Sequence, residues 1–312
     1  MKYSPKIKLF YVKIFKWGRG AAWLARSPVK AEVAGSNPVA PAKMSIKPNL
    51  ILMIAGVLIL SLIIMGLLIG YLQKRTNQLT KEEPLQKTEE MTSQTEKVKF
   101  TTEDGVEIIG DFYEAPNSKY AGILIHMMPS DRKSLRTLAL KLKEVGYSTL
   151  AIDLRGHGES INSTKGLLDY KKFSDEEHQA SIYDIKSASK FLEAKGFPIS
   201  NQFLIGASIG ANLSLQFLSS NTYVKCAVLI SPGLNYRGIK LENYLKKELG
   251  EKLMVVVTKE DIQSYSSIEK IKELAPPSTI LEYPGSAHGT DIFDGFPELY
   301  DKIIFFLKEK LL

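Results

Sequence analysis

The chain of 312 residues reads as an α/β protein: a mostly parallel central sheet with helices on both faces, preceded by one N-terminal membrane-spanning helix. Two observations carry that reading. From residue 97 onward, short continuous apolar runs alternate with stretches of helical periodicity, the pattern of strands buried on both faces by crossover helices. Ahead of them, residues 50–72 are 23 consecutive uncharged, mostly apolar residues.

A helix over residues 50–72, at about 1.5 Å per residue, is about 34 Å long and can cross a hydrocarbon core of about 30 Å. It lacks the polar face that a core helix shows. Lys74 and Arg75 follow it directly, without the small-residue cleavage site of a signal peptide. The expectation is an uncleaved single-pass anchor at 44–72. Residues 73–96 are rich in Gln, Glu, Lys and Thr and predict a flexible polar stalk, because they cannot bury enough apolar surface to offset chain entropy. Residues 1–43 show neither helical nor strand periodicity. Their run Gly35-Ser36-Asn37-Pro38 is one that the T-arm of a transfer RNA gene would encode if translated. They are expected to be an extension upstream of a real start at Met44, with a genuine basic tail as the other reading.

The formal net charge is +7, yet residues 1–43 hold nine Lys/Arg and one Glu, leaving 32 Lys/Arg against 33 Asp/Glu for the rest. The basic character therefore belongs to the extension, and nucleic acid is not an expected partner. The single cysteine, Cys226, excludes an intramolecular disulfide framework and a Cys-rich zinc site. Orientation is open on charge alone. From Met44, Lys47 precedes the span and Lys74, Arg75, Lys81 and Lys87 follow it, which favours a cytosolic domain. Including residues 1–43 puts ten Lys/Arg before the span and reverses the preference. The stalk resembles those of exported enzymes and tips the expectation to an extracytoplasmic domain.

Within 97–312, Val98–Thr101 and Val106–Tyr113 flank Glu103-Asp104-Gly105 as a hairpin. Ala121–Ile125, Ser148–Ile152, Phe203–Ile205, Val224–Ile230, Leu253–Val257 and Thr279–Leu281 follow as strands. One intervening helix carries Ile182, Ile185, Phe191 and Leu192 and closes at Gly196. The last carries Leu299, Ile303, Ile304 and Leu307.

The chemistry concentrates at three strand ends. Gly206-Ala207-Ser208-Ile209-Gly210 is a G-x-S-x-G run between a strand and a helix start. A nucleophile there stands on a sharp turn, with glycines on each side that let the backbone close; alone, the run is also compatible with a capping serine. His288 follows the last strand in a Gly-containing loop, where a base could reach Ser208. Asp261 lies just past a strand and could hold the imidazole tautomer; Glu260 is the rival. The turn His126-Met127-Met128-Pro129 should give one backbone N–H to a developing oxyanion, from Met128 or alternatively Met127, with Ile209 giving the other. Asp153-Leu-Arg-Gly-His-Gly-Glu-Ser160 reads as a rigid structural turn in which Asp153 and Arg155 hydrogen-bond across loops. His178 reads as a solvated histidine at a helix start.

Together GASIGA at 206–211, DLRGHGES at 153–160 and HMMP at 126–129 resemble the α/β-hydrolase superfamily, particularly its serine esterase, lysophospholipase-like and dienelactone-hydrolase-like branches, over about residues 97–312. The resemblance implies Ser208 as nucleophile, Asp261 as acid, His288 as base and the amides of Met128 and Ile209 as oxyanion hole. It departs at Met127, where many members carry glycine. Only about twenty residues separate the strand ending at Ser231 from the one starting at Leu253, too few for a large lid, so a small open acyl pocket is expected. The implied activity is hydrolysis of a small-molecule carboxylic ester through an acyl-enzyme, without metal or organic cofactor. An amide or thioester hydrolase on the same triad and a membrane-tethered, non-catalytic binding module are the alternatives.

Overall fold

A computed structural model of the protein describes residue 56, residues 58–75 and residues 95–311. The extension at 1–43, most of the stalk, and residues 50–55 and 57 of the expected span lie outside the described residues. The chain divides into two units, 1–71 and 72–312. α1 (Leu58–Arg75), which starts in the first and runs four residues past its end, is an 18-residue helix, long and apolar enough to cross a membrane and exposed along its whole length. It ends three residues later than the expected span.

The second unit is built on eight strands: β1 (Thr95–Thr101), β2 (Glu107–Tyr113), β3 (Ala121–Ile125), β4 (Ser148–Ile152), β5 (Gln202–Ala207), β6 (Ala227–Ile230), β7 (Leu253–Thr258) and β8 (Thr279–Tyr283). They form one sheet in the order β1-β2-β4-β3-β5-β6-β7-β8. The β1/β2 and β2/β4 pairs are antiparallel and all others parallel. The first strand starts two residues inside the stretch expected as stalk. The strand expected from Val224 starts at Ala227, although the Lys225 N–H already donates to Gln202 O at 2.9 Å.

Alternation along the strands explains the two cores. Ile123, Ile125, Leu204, Leu229, Val255 and Val257 face one layer. Leu124, Ile205, Val228, Ile230, Met254 and Val256 face the other. The first layer is closed by α3 (Ile182–Ala194), α4 (Ile209–Ser220) and α5 (Ser267–Leu274). The second is closed by α2 (Arg136–Glu144) and α6 (Leu299–Leu311). In α6 the buried Leu299, Ile303, Phe306 and Leu307 recur at helical spacing and seal one stripe. Fully burying one such side chain is worth about 1.5–3 kcal/mol, so a two-sided sheet of this size needs no disulfide. Cys226 is a buried free thiol that burial pushes up to about 12, which leaves it unreactive.

Register places the site. Ile125 pairs with Ile152 and Gly206, Ala207 with Ile230, Ile230 with Val256, and Thr258 with Tyr283. The parallel strands therefore end level, and His126, Asp153, Ser208, Ser231, Asp261 and His288 all follow at one edge, as ligand-binding residues do in open parallel sheets.

Candidate active site

Ser208 joins β5 to α4 with φ 54° and ψ −119°, a conformation that non-glycine residues rarely hold and that persists only where the surroundings enforce it. Here they do. Its N–H donates to Ile230 O at 2.8 Å, and its carbonyl accepts from Ala211 N at 2.9 Å and Asn212 N at 3.3 Å. The flanking glycines are required by contact. A Cβ on Gly206 would lie 2.1 Å from Gly210 O, and one on Gly210 would lie 2.5 Å from Ile125 O and 2.8 Å from His126 O. The turn is pinned against the end of β3 with no room for a methyl group.

His288 Nδ1 lies 2.7 Å from Asp261 Oδ2. A carboxylate there accepts a hydrogen bond from Nδ1–H, which fixes the tautomer and leaves the Nε2 lone pair free. Asp261 is largely covered, with 10% side-chain exposure, whereas Glu260 is exposed and only its backbone is engaged, N–H to Gly285 O at 3.0 Å. The histidine loop is fixed by three further bonds. Thr258 Oγ1 donates to Ala287 O at 2.8 Å, the Gly289 N–H donates to Ser231 Oγ at 2.8 Å, and Thr290 Oγ1 meets Met127 Sδ at 3.8 Å.

The N–H of Ile209 opens α4, in the first turn of a helix whose leading donors have no intrahelical acceptor. The His126–Met128 turn sits against Gly210 by the contacts above. Met127 fills the space that a Cβ on Gly289 would occupy, its Sδ 2.4 Å from that position. Both ring nitrogens of His126 are engaged within the protein. Fully buried, the ring donates from Nδ1 to Met127 O at 2.8 Å and accepts from Leu154 N at 3.0 Å through Nε2, and burial pushes its pKa down to about 4. Among the described residues no group of three or more His, Cys, Asp or Glu side chains could hold a metal ion.

A family model described as "serine aminopeptidase, S33" matches residues 117–274. The chain belongs to this hydrolase family, within the α/β-hydrolase superfamily. The match spans Ser208 and Asp261 and stops short of His288. Solved α/β-hydrolase folds agree. An esterase from Pyrococcus furiosus is 23% identical over 70% of this chain and 91% of that one, with a TM-score of 0.56. An α/β hydrolase from Penicillium is 14% identical over 70% and 99%, TM-score 0.58. A dienelactone hydrolase from Anabaena variabilis is 15% identical over 70% and 100%, TM-score 0.54. At such identities the likeness is one of fold. Among curated proteins none matches.

Other α/β-hydrolase features diverge from the sequence reading or escaped it. His178 is not solvated: it lies fourth in the short helix Asp175–Gln179, buried edge-on against Phe173 with ring centroids 5.4 Å apart. The loop after β4 is rigid through Arg155, which binds Asp104 at 2.6 Å and Asp184 at 2.8 Å. It is equally rigid through the unforeseen Arg132, which binds Asp153 at 2.5 Å, Glu159 at 2.6 Å and Asp111 at 3.0 Å. Three more residues close on the site unannounced. Tyr236 Oη donates to Ser231 O at 3.2 Å and meets Ser264 Oγ at 3.3 Å, and Ser264 Oγ is 3.4 Å from His288 Nδ1. The run of residues between Ser231 and Leu253 does hold no large lid. It is a hairpin of two-residue strands, Asn235–Tyr236 with Ile239–Lys240, and two short 3₁₀ helices, Leu241–Asn243 and Lys247–Lys252, tucked down by Tyr236, Ile239, Leu241 and Leu249.

Proposed function

We propose that this α/β hydrolase cleaves small-molecule carboxylic esters by way of an acyl-enzyme. Ser208 is the nucleophile, His288 the base, Asp261 the orienting acid, and the amides of Met128 and Ile209 the oxyanion donors. The observation that carries the reading is the 2.7 Å His288–Asp261 bond at the same sheet edge as a serine forced to a positive φ. Such a backbone exposes a hydroxyl above the sheet, and such a pair supplies a base of fixed tautomer. Ser208 attacks the carbonyl as His288 Nε2 takes its proton. The tetrahedral oxyanion is held by two main-chain N–H groups, and His288 returns the proton to the departing alcohol oxygen. Water then repeats the sequence on the acyl-enzyme and frees Ser208. No step needs a metal or organic cofactor, and nucleic acid is not a partner in this reading.

The unburied leucines and isoleucines of α1 support a single-pass anchor, since a soluble helix keeps a polar face toward water. The hydrolase unit is proposed to lie extracytoplasmically. Labelling of the full chain by a fluorophosphonate probe, together with p-nitrophenyl esters of graded chain length, tests the chemistry. Turnover of short-chain esters is expected. Turnover only of aminoacyl p-nitroanilides or thioesters would shift the reading to those bonds, and a wild-type chain that never reacts with the probe would leave a binding module. Resistance of the full chain to carbonate extraction from membranes tests the anchor.

A further inference from the structure

Ser208 has different neighbours on its two flanks. In the sheet order β3–β5–β6–β7–β8, the His126–Met128 turn follows β3 on one side. Ser231, Asp261 and His288 follow β6, β7 and β8 on the other. Tyr236 belongs to this second flank. It is nearly buried, its hydroxyl donates to Ser231 O, and its ring stands edge-on to the His288 imidazole at 6.3 Å and 78°. The phenol oxygen also meets Ser264 Oγ at 3.3 Å; burial raises the Tyr236 pKa, and the Ser208 hydroxyl pulls it down against that rise. Nor is the ring free to leave, because it packs so closely over Gly233 that a Cβ there would fall 2.5 Å from Cζ.

A tetrahedral intermediate on Ser208 points its oxyanion toward the β3 flank in the reading above. The oxygen that receives a proton from His288 must lie toward the imidazole, and the Tyr236 ring stands edge-on to that imidazole. We propose that Tyr236 is a positioning residue for the alcohol side of the ester: its hydroxyl turns from Ser231 O to donate a hydrogen bond to the leaving oxygen. The inference rests on the ester-hydrolase reading. In the step concerned the carbonyl carbon keeps its new bond to Ser208 Oγ. The bond from carbon to alcohol oxygen breaks with its electron pair on oxygen, and the proton held on His288 Nε2 goes to that oxygen. Tyr236 keeps its own proton throughout. Its hydrogen bond matters most where the leaving oxygen develops full alkoxide charge, and least where the leaving group spreads that charge over a nitrophenyl ring.

The test compares full-length wild type with Tyr236→Phe, using the ethyl and p-nitrophenyl esters of the acyl group that the wild type turns over fastest. Phenylalanine keeps the ring on Gly233, and an unchanged melting temperature confirms it. For the ethyl ester kcat/KM is expected to fall about tenfold, the size of one hydrogen bond of roughly 1.4 kcal/mol. For the p-nitrophenyl ester the fall should stay under about twofold by the same reasoning, with the rate of fluorophosphonate labelling unchanged. Ser264→Ala, which spares the phenol, should change both esters by the same factor. Equal losses on both esters in Tyr236→Phe would mean that Tyr236 only holds the loop, and no loss on either would remove it from the reaction; each overturns the proposal while leaving the hydrolase reading intact. A wild type that neither labels nor turns over any ester overturns the hydrolase reading, and the role of Tyr236 with it.

Discussion

Two glycine-containing turns leave the same edge of the sheet, one after β5 at Gly206–Gly210 and one after β4 at Asp153–Ser160, and they are held by opposite means. The first contains no charged side chain. It is held by backbone contact, with two glycines wedged against carbonyls and one serine forced to φ 54°. The second relieves its positive φ values on Gly156 and Gly158 and is tied down by charge, with Arg132 and Arg155 buried among Asp111, Asp153, Glu159, Asp104 and Asp184. On the proposed chemistry the first turn presents a reactive hydroxyl, and close packing gives it rigidity without ion pairs that would compete for that hydroxyl. A turn that only frames the site can use the stronger, less precise constraint of charge.

The largest effect that this contrast predicts is chemical. Ser208→Ala should abolish labelling and turnover, on the order of 10⁶-fold as for the loss of a triad nucleophile, with the melting temperature held. Asp261→Asn should cost on the order of 10⁴-fold in kcat by releasing the histidine tautomer. Glu260→Gln should be silent in the same assay; the reverse ranking would move the acid to Glu260.

The charged turn should respond in stability instead. Arg132→Met strands buried carboxylates and should lower unfolding free energy by about 3–5 kcal/mol, read from urea melts, while kcat of the folded fraction stays within a few-fold.

Next comes acid. Burial pushes both His126 and His157 down to about 4 in the folded chain, with His126 adding to the effect on His157. An unfolded histidine titrates near 6.5, so the folded state favours the neutral form. The stability this gives is complete above about 6.5 and is lost as pH falls toward 4, on the order of 1 kcal/mol per pH unit for each histidine. Melting temperatures from pH 7 to 4.5 should trace that loss. His157 stacks on Tyr170 at 3.8 Å and 14°, so His157→Phe should keep the stack and flatten the slope. A slope unchanged in the variant would clear His157 of the effect.

The smallest effect returns to the first turn. Ser208→Gly removes the strain of a side chain at positive φ, worth about 1–3 kcal/mol, against about 0.5–1 kcal/mol of extra chain entropy. A rise in melting temperature of a few degrees is expected, and a fall would show that the serine is not strained.

The eight strands and the placement of Ser208, Asp261 and His288 at one edge were legible in the sequence, because buried parallel strands write themselves as continuous apolar runs and the residues follow those runs directly. What stayed hidden depends on contacts across the fold. Arg132 stands in a polar loop with no local signal, and only the fold brings Asp111 and Asp153 beside it. Tyr236 sat in a stretch read only for its length, and Ser231 and Ser264 carry no local signal at all. His178 misled because its neighbours Asp175, Glu176 and Glu177 are polar, while its burial is set by Phe173 on the turn before.

The missing side chain at Gly210 also acts as a ruler. It lets the carbonyls of Ile125 and His126 rest directly on the α4 backbone, so the separation between the two strand ends is measured from main chain to main chain. The side chains of Met127 and Met128 have no part in that measurement. Substitution at those two positions can therefore leave that separation at its set length, whereas a single methyl at 210 would widen it.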